Sequence, residues 1–371
     1  MTDGFVPPPQ SYYTNIETMI SNEDHNWTKP MEQGPWDIGF NHSYITLAGI
    51  QNPPYIFLRN NLMEDLGGPS KDNIKYWVER NHVMPYGTSI IRRSGEGSKD
   101  WDSTAYNMIL VNETEKFLDD HLVNAHDKPF FTYVALGSVH LPHSPPDKYI
   151  DGSTIAGKHA TKHLDMLSEM DKVVGSLISI LDDRNLTEDT IIIFTSDNGG
   201  LGGKFGSNKV GHESNGPLRA NKGSIYEGGH RIPLTIRWDN GGIPKGENRS
   251  SHFVGLNDIY ATLCDFADVD IPFEEKVQAI DSISFAKYAL NKNKTDGLRT
   301  DLWTRDYKGN IESIREGNMK LIHHIQSGTL ELYDLSRDLS ESTNIISYAH
   351  KKVVRQMYIK LKEIGPCATE D

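Results

Sequence analysis

The sequence is poor in cysteine, in positive charge and in long apolar runs. Its 371 residues include two cysteines, Cys264 and Cys367. Neither has a cysteine or histidine neighbour at zinc-like spacing, so no disulfide scaffold and no structural metal is predicted. The formal net charge of -13 disfavours nucleic acid and anionic membranes as partners, because phosphate binding requires a basic surface. No apolar run approaches the ~18 residues of a membrane span, so no membrane anchor is predicted.

A secretory leader is also missing from the printed residues, whereas acceptor sequons for N-glycosylation are frequent. The opening Met1-Thr-Asp-Gly-Phe5 has neither a basic nor an apolar stretch. Asn-x-Ser/Thr sequons begin at Asn26, Asn41, Asn112, Asn185, Asn248 and Asn293. Either the protein is not secreted or its start lies upstream of Met1. The sequons favour the second interpretation, a secreted protein that is extracellular or lysosomal.

The stretch that organises the chain is an apolar run followed by a polar turn. Ile191 to Phe194 predict a strand buried on both faces. Asp197 and Asn198 then offer two hard oxygen ligands where open α/β sheets place their ligands, and Gly199-Gly200 allow a sharp turn. The pattern fits a metal-binding corner, and it also fits a strand that ends in an ordinary turn.

A strand, a helix and a second strand are predicted in succession before this turn. Residues 129–136 are almost continuously apolar, and apolar positions recur every three or four residues over 160–181. In a βαβ unit of this kind, the loop 137–146 leaves the sheet at the same edge as the second strand. We therefore expect His140, in that loop, to lie near Asp197.

The remaining patterns complete an α/β fold. Further elements are expected at residues 102–123 (helix), 232–238 (strand), 256–266 (helix) and 349–364 (helix). Between 290 and 349, short segments alternate with turns and indicate antiparallel strands. We predict a mixed, mostly parallel central sheet flanked by helices, with a small C-terminal antiparallel sheet plus helix. The corresponding domains are residues 1–290 and 291–371.

Several stretches together resemble the formylglycine-dependent sulfatases of the alkaline phosphatase superfamily, over essentially the whole chain. The most specific ones are Thr195-Ser-Asp-Asn-Gly199, Asn215-Gly-Pro-Leu-Arg219, Lys222-Gly223, Tyr226-Glu-Gly-Gly229, Arg231 and Pro233. Glu331-Leu-Tyr-Asp-Leu335 with Asp338, Glu341 and Asn344 is similar to the C-terminal signature of that family. The resemblance implies an alkaline phosphatase-like fold, incomplete at its N-terminus, and a sulfuric ester hydrolase of arylsulfatase type.

The resemblance also implies roles for individual residues. Asp197 and Asn198 match ligands of a calcium ion, for which magnesium is the alternative. His140 matches the histidine that contacts the ester oxygen and protonates the leaving alcohol. Lys222 matches the lysine that binds a sulfate oxygen. Without the resemblance, His140 would be an ordinary loop histidine and Lys222 a solvated lysine.

Three nearby residues receive supporting roles. Glu227 and Arg231 are predicted to hold the turn of Lys222 against the metal-binding turn, without direct chemistry. His143 has no counterpart in the family pattern, so it is either structural or substrate-facing.

The family's nucleophile motif does not occur in these 371 residues. The family requires Cys-x-Pro-Ser-Arg, whose cysteine becomes formylglycine, whereas Cys264 precedes Asp-Phe-Ala and Cys367 precedes Ala-Thr-Glu. Two N-terminal aspartates on calcium, a lysine and a histidine are missing as well. We therefore expect an N-terminally truncated sulfatase that is inactive as the chain stands.

Two alternatives remain beside that prediction. The first is a noncatalytic protein that binds sulfated glycans or a partner. The second is a phosphatase or phosphonate hydrolase, which the sulfatase-like segment around Lys222 disfavours. The expected partner is a sulfated small molecule or glycan, selected by the loops 80–102 and 201–216 and by the missing part.

Overall fold

The computed structural model describes residues 29–64, 74–77, 80–83, 89–202, 207–248, 252–271, 279–291 and 293–365. The chain divides into two compact units, and each is described by itself. Unit 1 comprises Met1–Leu181 and Gly203–His212, and unit 2 comprises Asp182–Gly202 and Glu213–Asp371. The predicted division at residue 290 is not tested by these units and stays a prediction.

Unit 1 contains short antiparallel strands. They are β1 (Tyr44–Thr46), β2 (Phe57–Arg59), β3 (Leu62–Glu64), β4 (Ile74–Trp77), β5 (Arg80–Val83), β6 (Ser89–Arg92) and β7 (Gly95–Ser98). Strands β1, β2 and β3 form one sheet in that order, β4 pairs with β7, and β5 pairs with β6. Aromatic rings fill the core beneath them, with Tyr55, Trp101 and Tyr106 buried and Phe57 packed against them.

Two long helices complete unit 1. Helix α1 covers Tyr106–Asn124, and Asp102 Oδ1 accepts the Thr104 N–H at 2.9 Å just before it begins. Helix α2 covers Lys162–Asp182, and its apolar spacing buries Met166 and Val173 completely. Among the described helices none combines the length and apolar character needed to cross a membrane.

Unit 2 begins with a two-stranded ladder. Strand β8 (Ile192–Thr195) pairs antiparallel with β9 (Leu234–Arg237). Unit 2 also contains three short helices, α3 (Glu227–His230) between the two strands, and α4 (Asp258–Phe266) and α5 (Ala286–Leu290) after them. The first of these helices lies beside the predicted metal-binding turn, as described below.

The C-terminal part of unit 2 is an antiparallel sheet covered by a helix. Its strands are β10 (Asp301–Arg305), β11 (Ile311–Glu316), β12 (Met319–His324) and β13 (Thr329–Asp334), followed by helix α6 (Lys351–Ile364). The strands pair in sequence order. The inner face of the sheet packs on the helix through Ile314, Leu321, Leu332, Met357 and Leu361. Each of these residues is almost fully buried, so this layer is a substantial source of stability.

The α/β class and the C-terminal antiparallel sheet plus helix are confirmed, but the predicted βαβ unit was wrong in one strand. Residues 129–136 are not assigned to a strand, and no ladder among the described residues joins them to another segment. Phe131 and Tyr133 are 60% and 76% exposed, and Val134 and Leu136 pack on the aromatic core. The strand predicted at 191–194 is observed as β8 (Ile192–Thr195), which is half-buried and antiparallel to its neighbour, whereas burial on both faces was predicted.

Candidate functional site

The turn after β8 carries the predicted metal ligands. Asn198 Nδ2 donates to Asp197 Oδ1 at 2.8 Å, and Ser196 Oγ donates to the carbonyl oxygen of Asn198 at 2.9 Å. The Asp197 side chain is exposed and that of Asn198 is half-buried. The second carboxylate oxygen of Asp197 and the amide oxygen of Asn198 are the atoms that could coordinate a cation.

Helix α3 lies in backbone contact with this turn. The Gly199 N–H donates to the carbonyl oxygen of Gly229 at 2.9 Å. A β-carbon on Gly199 would lie 1.9 Å from the carbonyl oxygen of Gly228, and one on Gly228 would lie 2.3 Å from the carbonyl oxygen of Ala220. Only glycine fits at these positions, because the chains touch through their main-chain atoms.

The loop that carries Lys222 is attached to the same turn. Asn215 Oδ1 accepts the Gly200 N–H at 2.8 Å, and Asn215 Nδ2 donates to the carbonyl oxygen of Ala220 at 3.0 Å. The Lys222 N–H donates to the carbonyl oxygen of Gly200 at 3.1 Å. The Lys222 side chain is exposed. Unit 2 therefore brings together three of the four predicted site residues, Asp197, Asn198 and Lys222.

Glu227 and Arg231 have the supporting geometry that the sequence predicts. Glu227 is 1% exposed, and its Oε2 lies 3.2 Å from a guanidinium nitrogen of Arg231. Its Oε1 lies 2.9 Å from Nζ of Lys320, which is equally buried. Burial opposes ionisation of Glu227, but the Lys320 ammonium and neighbouring charges hold its pKa at about 2. Sequence reasoning missed Lys320.

A second contact ties the Lys222 loop to the C-terminal sheet. The Arg219 guanidinium lies 3.7 Å from the centroid of the Tyr226 ring and donates to Tyr333 Oη at 2.9 Å. It also donates to the carbonyl oxygen of Glu341 at 2.8 Å. Both tyrosine hydroxyls donate to Glu331. The residues of the C-terminal signature thus serve to fix the loop from Asn215 to Lys222.

His140 belongs to unit 1, in a loop held by a buried polar group. Asn107 Oδ1 accepts the Gly137 N–H at 2.9 Å, and Ser138 Oγ donates to Glu169 at 3.1 Å. The His140 side chain is exposed, and its Nδ1 lies 2.8 Å from the carbonyl oxygen of Leu141. Because a carbonyl only accepts, Nδ1 carries a hydrogen, and Nε2 is the nitrogen that can exchange a proton. The predicted proximity of His140 to Asp197 stays a prediction.

His143 is structural, since it is fully buried and cannot face a substrate. Its ring lies 5.1 Å from that of His163, which in turn lies 5.9 Å from that of His212. His163 Nδ1 is 3.0 Å from Oγ of the buried Ser207. Burial together with neighbouring imidazoles lowers the pKa of His143 to about 3 and that of His163 to about 4. His143, His163 and His212 form a histidine cluster, in which the low pKa values keep His143 and His163 neutral near pH 7.

The donor set at the turn fits a hard cation in part. Among the described residues no group of three or more histidine, cysteine, aspartate or glutamate side chains is arranged to hold a metal ion. Asp197 and Asn198 supply oxygen donors alone, which suits calcium or magnesium rather than zinc. Calcium takes roughly six to eight oxygen ligands, so these two side chains would supply only part of its coordination shell.

Two protein-family models match the chain. The model described as sulfatase matches residues 20–269, and the model described as N-sulphoglucosamine sulphohydrolase, C-terminal, matches residues 220–365. The first covers more than half of the sequence. The chain therefore belongs to the sulfatase family.

Individual relatives are similar over most of this chain. A sulfatase of Formosa agariphila is 28% identical over 315 residues, which cover 74% of this chain and 54% of that protein. An N-acetylgalactosamine-6-O-sulfatase of Bacteroides thetaiotaomicron is 25% identical over 368 residues, which cover 88% and 68%. A solved structure from work on glycosaminoglycan metabolism by Bacteroides thetaiotaomicron has a TM-score of 0.72 at 24% identity, covering 91% of this chain and 75% of that one. The last comparison shows the shared fold.

Proposed function

We propose that this chain is part of a sulfuric ester hydrolase that acts on carbohydrate or aryl sulfate esters. Membership of the sulfatase family supports the proposal. The observation that carries it is the packing in unit 2, where the turn of Asp197 and the loop of Lys222 share a hydrogen bond between Lys222 N–H and the Gly200 carbonyl oxygen. This contact supports the proposal because the candidate metal ligands and the exposed Lys222 belong to adjoining turns.

Each site residue has a distinct role in the proposal. The Lys222 ammonium binds a sulfate oxygen and offsets the negative charge that grows as the ester bond breaks. In a hydrolase that also carries the family's formylglycine, the nucleophile would form the new bond to sulfur as the bond to the alcohol oxygen breaks. His140 would then give a proton from Nε2 to that departing oxygen, while its Nδ1–H stays bonded to the carbonyl oxygen of Leu141. Asp197 and Asn198 would hold calcium, with magnesium as the alternative. A bound cation supplies electrostatic stabilisation of the sulfate group.

The nucleophile is the most important of the family's components that these 371 residues do not contain, beside two aspartates, a lysine and a histidine. Covalent transfer in this family uses formylglycine, and neither Cys264 nor Cys367 stands in a Cys-x-Pro-Ser-Arg stretch. We propose that this polypeptide by itself binds sulfate esters and does not hydrolyse them. The same observation favours the second candidate function, a noncatalytic protein that binds sulfated glycans.

A carbohydrate ester is the preferred substrate class. The support is the relative named N-acetylgalactosamine-6-O-sulfatase, which aligns with 88% of this chain. A secretory route for the protein is proposed from the sequons, and the side chains of Asn41, Asn112, Asn185 and Asn293 are exposed as glycosylation requires.

Binding and turnover are tested separately on the 371-residue chain. With calcium present, calorimetry is expected to show saturable binding of N-acetylgalactosamine 6-sulfate and none of the unsulfated sugar. Lys222→Ala should weaken this binding about ten-fold or more, whereas the exposed Lys294→Ala serves as the control and should not. Release of methylumbelliferone from its sulfate ester should stay at background. Equal binding of both sugars would refute the proposed site, and turnover would refute the proposed inactivity.

A further inference from the structure

A buried cluster of three charged side chains lies next to the proposed site. Nζ of Lys320, on β12, is 2.9 Å from Oε1 of Glu227 and 2.9 Å from Oε1 of Glu341. The three side chains are at most 1% exposed. Oε2 of Glu341 also accepts the backbone N–H of Glu227 at 2.6 Å. Charges that are removed from water in this way persist only when each has its partner.

Cations face both carboxylate oxygens of Glu227. Its second oxygen faces Arg231 at 3.2 Å and Arg315 at 3.7 Å. Burial raises the pKa of Glu341, whereas Lys320 lowers it. Glu227 remains ionised, because its low pKa reflects several cations around one carboxylate. Lys320 is therefore the cation on which both buried carboxylates depend.

Glu227 transmits this anchoring to the site through the main chain. It is the first residue of α3, whose Gly228 N–H donates to the carbonyl oxygen of Arg219 at 2.8 Å. Gly229 in the same helix accepts the Gly199 N–H. A β-carbon at Gly228 or Gly229 would clash with main-chain atoms, so these segments are already packed as closely as they can be. A shift of Glu227 must move both the turn of Asp197 and the loop that ends at Lys222.

We propose that Lys320, together with Glu341, is a positioning residue for the site formed by Asp197, Asn198 and Lys222. That these residues form a binding site for a cation and a sulfate group rests on the proposed function. Neither Lys320 nor Glu341 contacts a ligand, since both are enclosed beneath α3. They fix the distance between the two turns, and so they set the affinity for a cation and a sulfate group together.

The first test measures local protection by hydrogen–deuterium exchange in the full 371-residue chain. Lys320→Met should accelerate exchange about ten-fold or more at residues 197–202 and 219–230. The matched control is Arg299→Met, which breaks another buried ion pair of unit 2, that with Asp258. The control should accelerate exchange around Asp258 and leave residues 197–202 protected.

The second test measures affinity and rescue. Lys320→Met should weaken calcium binding about ten-fold, Lys320→Arg should restore most of it because the charge is kept, and Arg299→Met should leave it near that of the parent. Should Lys320→Met not fold, Glu341→Gln replaces it in the exchange experiment. Hydrogen–deuterium exchange at residues 197–202 and 219–230 should then be about three-fold faster than in the parent.

Two results would overturn the inference. One is unchanged protection of residues 197–202 against exchange in the variant tested. The other is a loss of that protection, or of calcium affinity, that is equally large in Arg299→Met. Failure of the proposed function has a different signature, because the parent chain would then bind no sulfated sugar while the exchange result still held.

Discussion

The amide of Gly199 donates to the carbonyl oxygen of Gly229 at 2.9 Å, so the turn of Asp197 and helix α3 are joined by their main chains. Side chains adapt to small changes by rotating, whereas a contact between two backbones has no such freedom. The geometry of the candidate site thus depends on residues that have no side chain. Substitutions at these glycines are its most direct test.

Gly199→Ala is expected to destabilise the chain. The added carbon would lie 1.9 Å from the carbonyl oxygen of Gly228, which forces the two segments apart at a cost of about 1–3 kcal/mol. Urea denaturation measures this loss of unfolding free energy. Gly175→Ala in α2 is the control, because nothing lies within 4 Å of its β-carbon and alanine favours a helix by about 1 kcal/mol. Equal effects would contradict the close contact.

Asp197→Ala is expected to abolish calcium binding measured by calorimetry. The substitution removes the only charged donor on the turn, and a hard cation depends on carboxylate charge. Asp265→Ala, at an exposed position of α4, should leave the affinity within about two-fold of the parent. Calcium binding that survives Asp197→Ala would place the cation elsewhere.

Leu321→Ala is expected to lower the free energy of unfolding by about 2–5 kcal/mol. Leu321 is fully buried between the C-terminal sheet and α6, and truncation leaves a cavity there. Val353→Ala, at a side chain 41% exposed on the same helix, should change stability by less than about 1 kcal/mol. Thermal or urea unfolding distinguishes them, and similar losses would argue against the packed layer.

Acidification is expected to destabilise the fold through His143 and His163 of the histidine cluster. The pKa values of His143 and His163 are about 3 and about 4 in the folded chain, below the value of an unfolded histidine. The unfolded chain therefore binds more protons, and stability falls as pH decreases from the unfolded pKa toward the folded ones. Between about pH 7 and about pH 5, each of these histidines should lower the free energy of unfolding by roughly 2 kcal/mol.

His163→Asn tests this pH dependence. The asparagine amide can occupy the position of Nδ1 and keep a hydrogen bond to Ser207, but it does not titrate. Urea unfolding at both pH values should show a shallower pH dependence than the parent, even if the variant is less stable overall. An unchanged slope would exclude His163 as a source of the effect.

Local patterns predicted most helices and the C-terminal sheet well. The helix predicted at 160–181 is observed at Lys162–Asp182, and that at 349–364 is observed at Lys351–Ile364. The antiparallel strands predicted between 290 and 349 are observed as β10 to β13. These elements could be predicted because the spacing of apolar residues along the chain indicates which face of a helix or strand is buried.

Other features depend on pairing between distant segments. Residues 129–136 have the composition of a buried strand but no ladder within the described residues, and composition does not reveal the neighbour on which a strand depends. The sequence pattern around Lys320 is that of an apolar strand, which gives no role to a lysine. A lysine among core positions is itself a signal, but its partners Glu227 and Glu341 lie far away in sequence.

The ion pair of Lys320 also sets an order of events during synthesis. Lys320 is made 93 residues after Glu227, and Glu341 is made 114 residues after it. While a ribosome is still extending the chain, Asp197 and Lys222 have therefore already emerged without the cation and the carboxylate that fix them. Ligand recognition by these turns thus becomes available only late in translation, when the last third of the polypeptide has folded back beneath them.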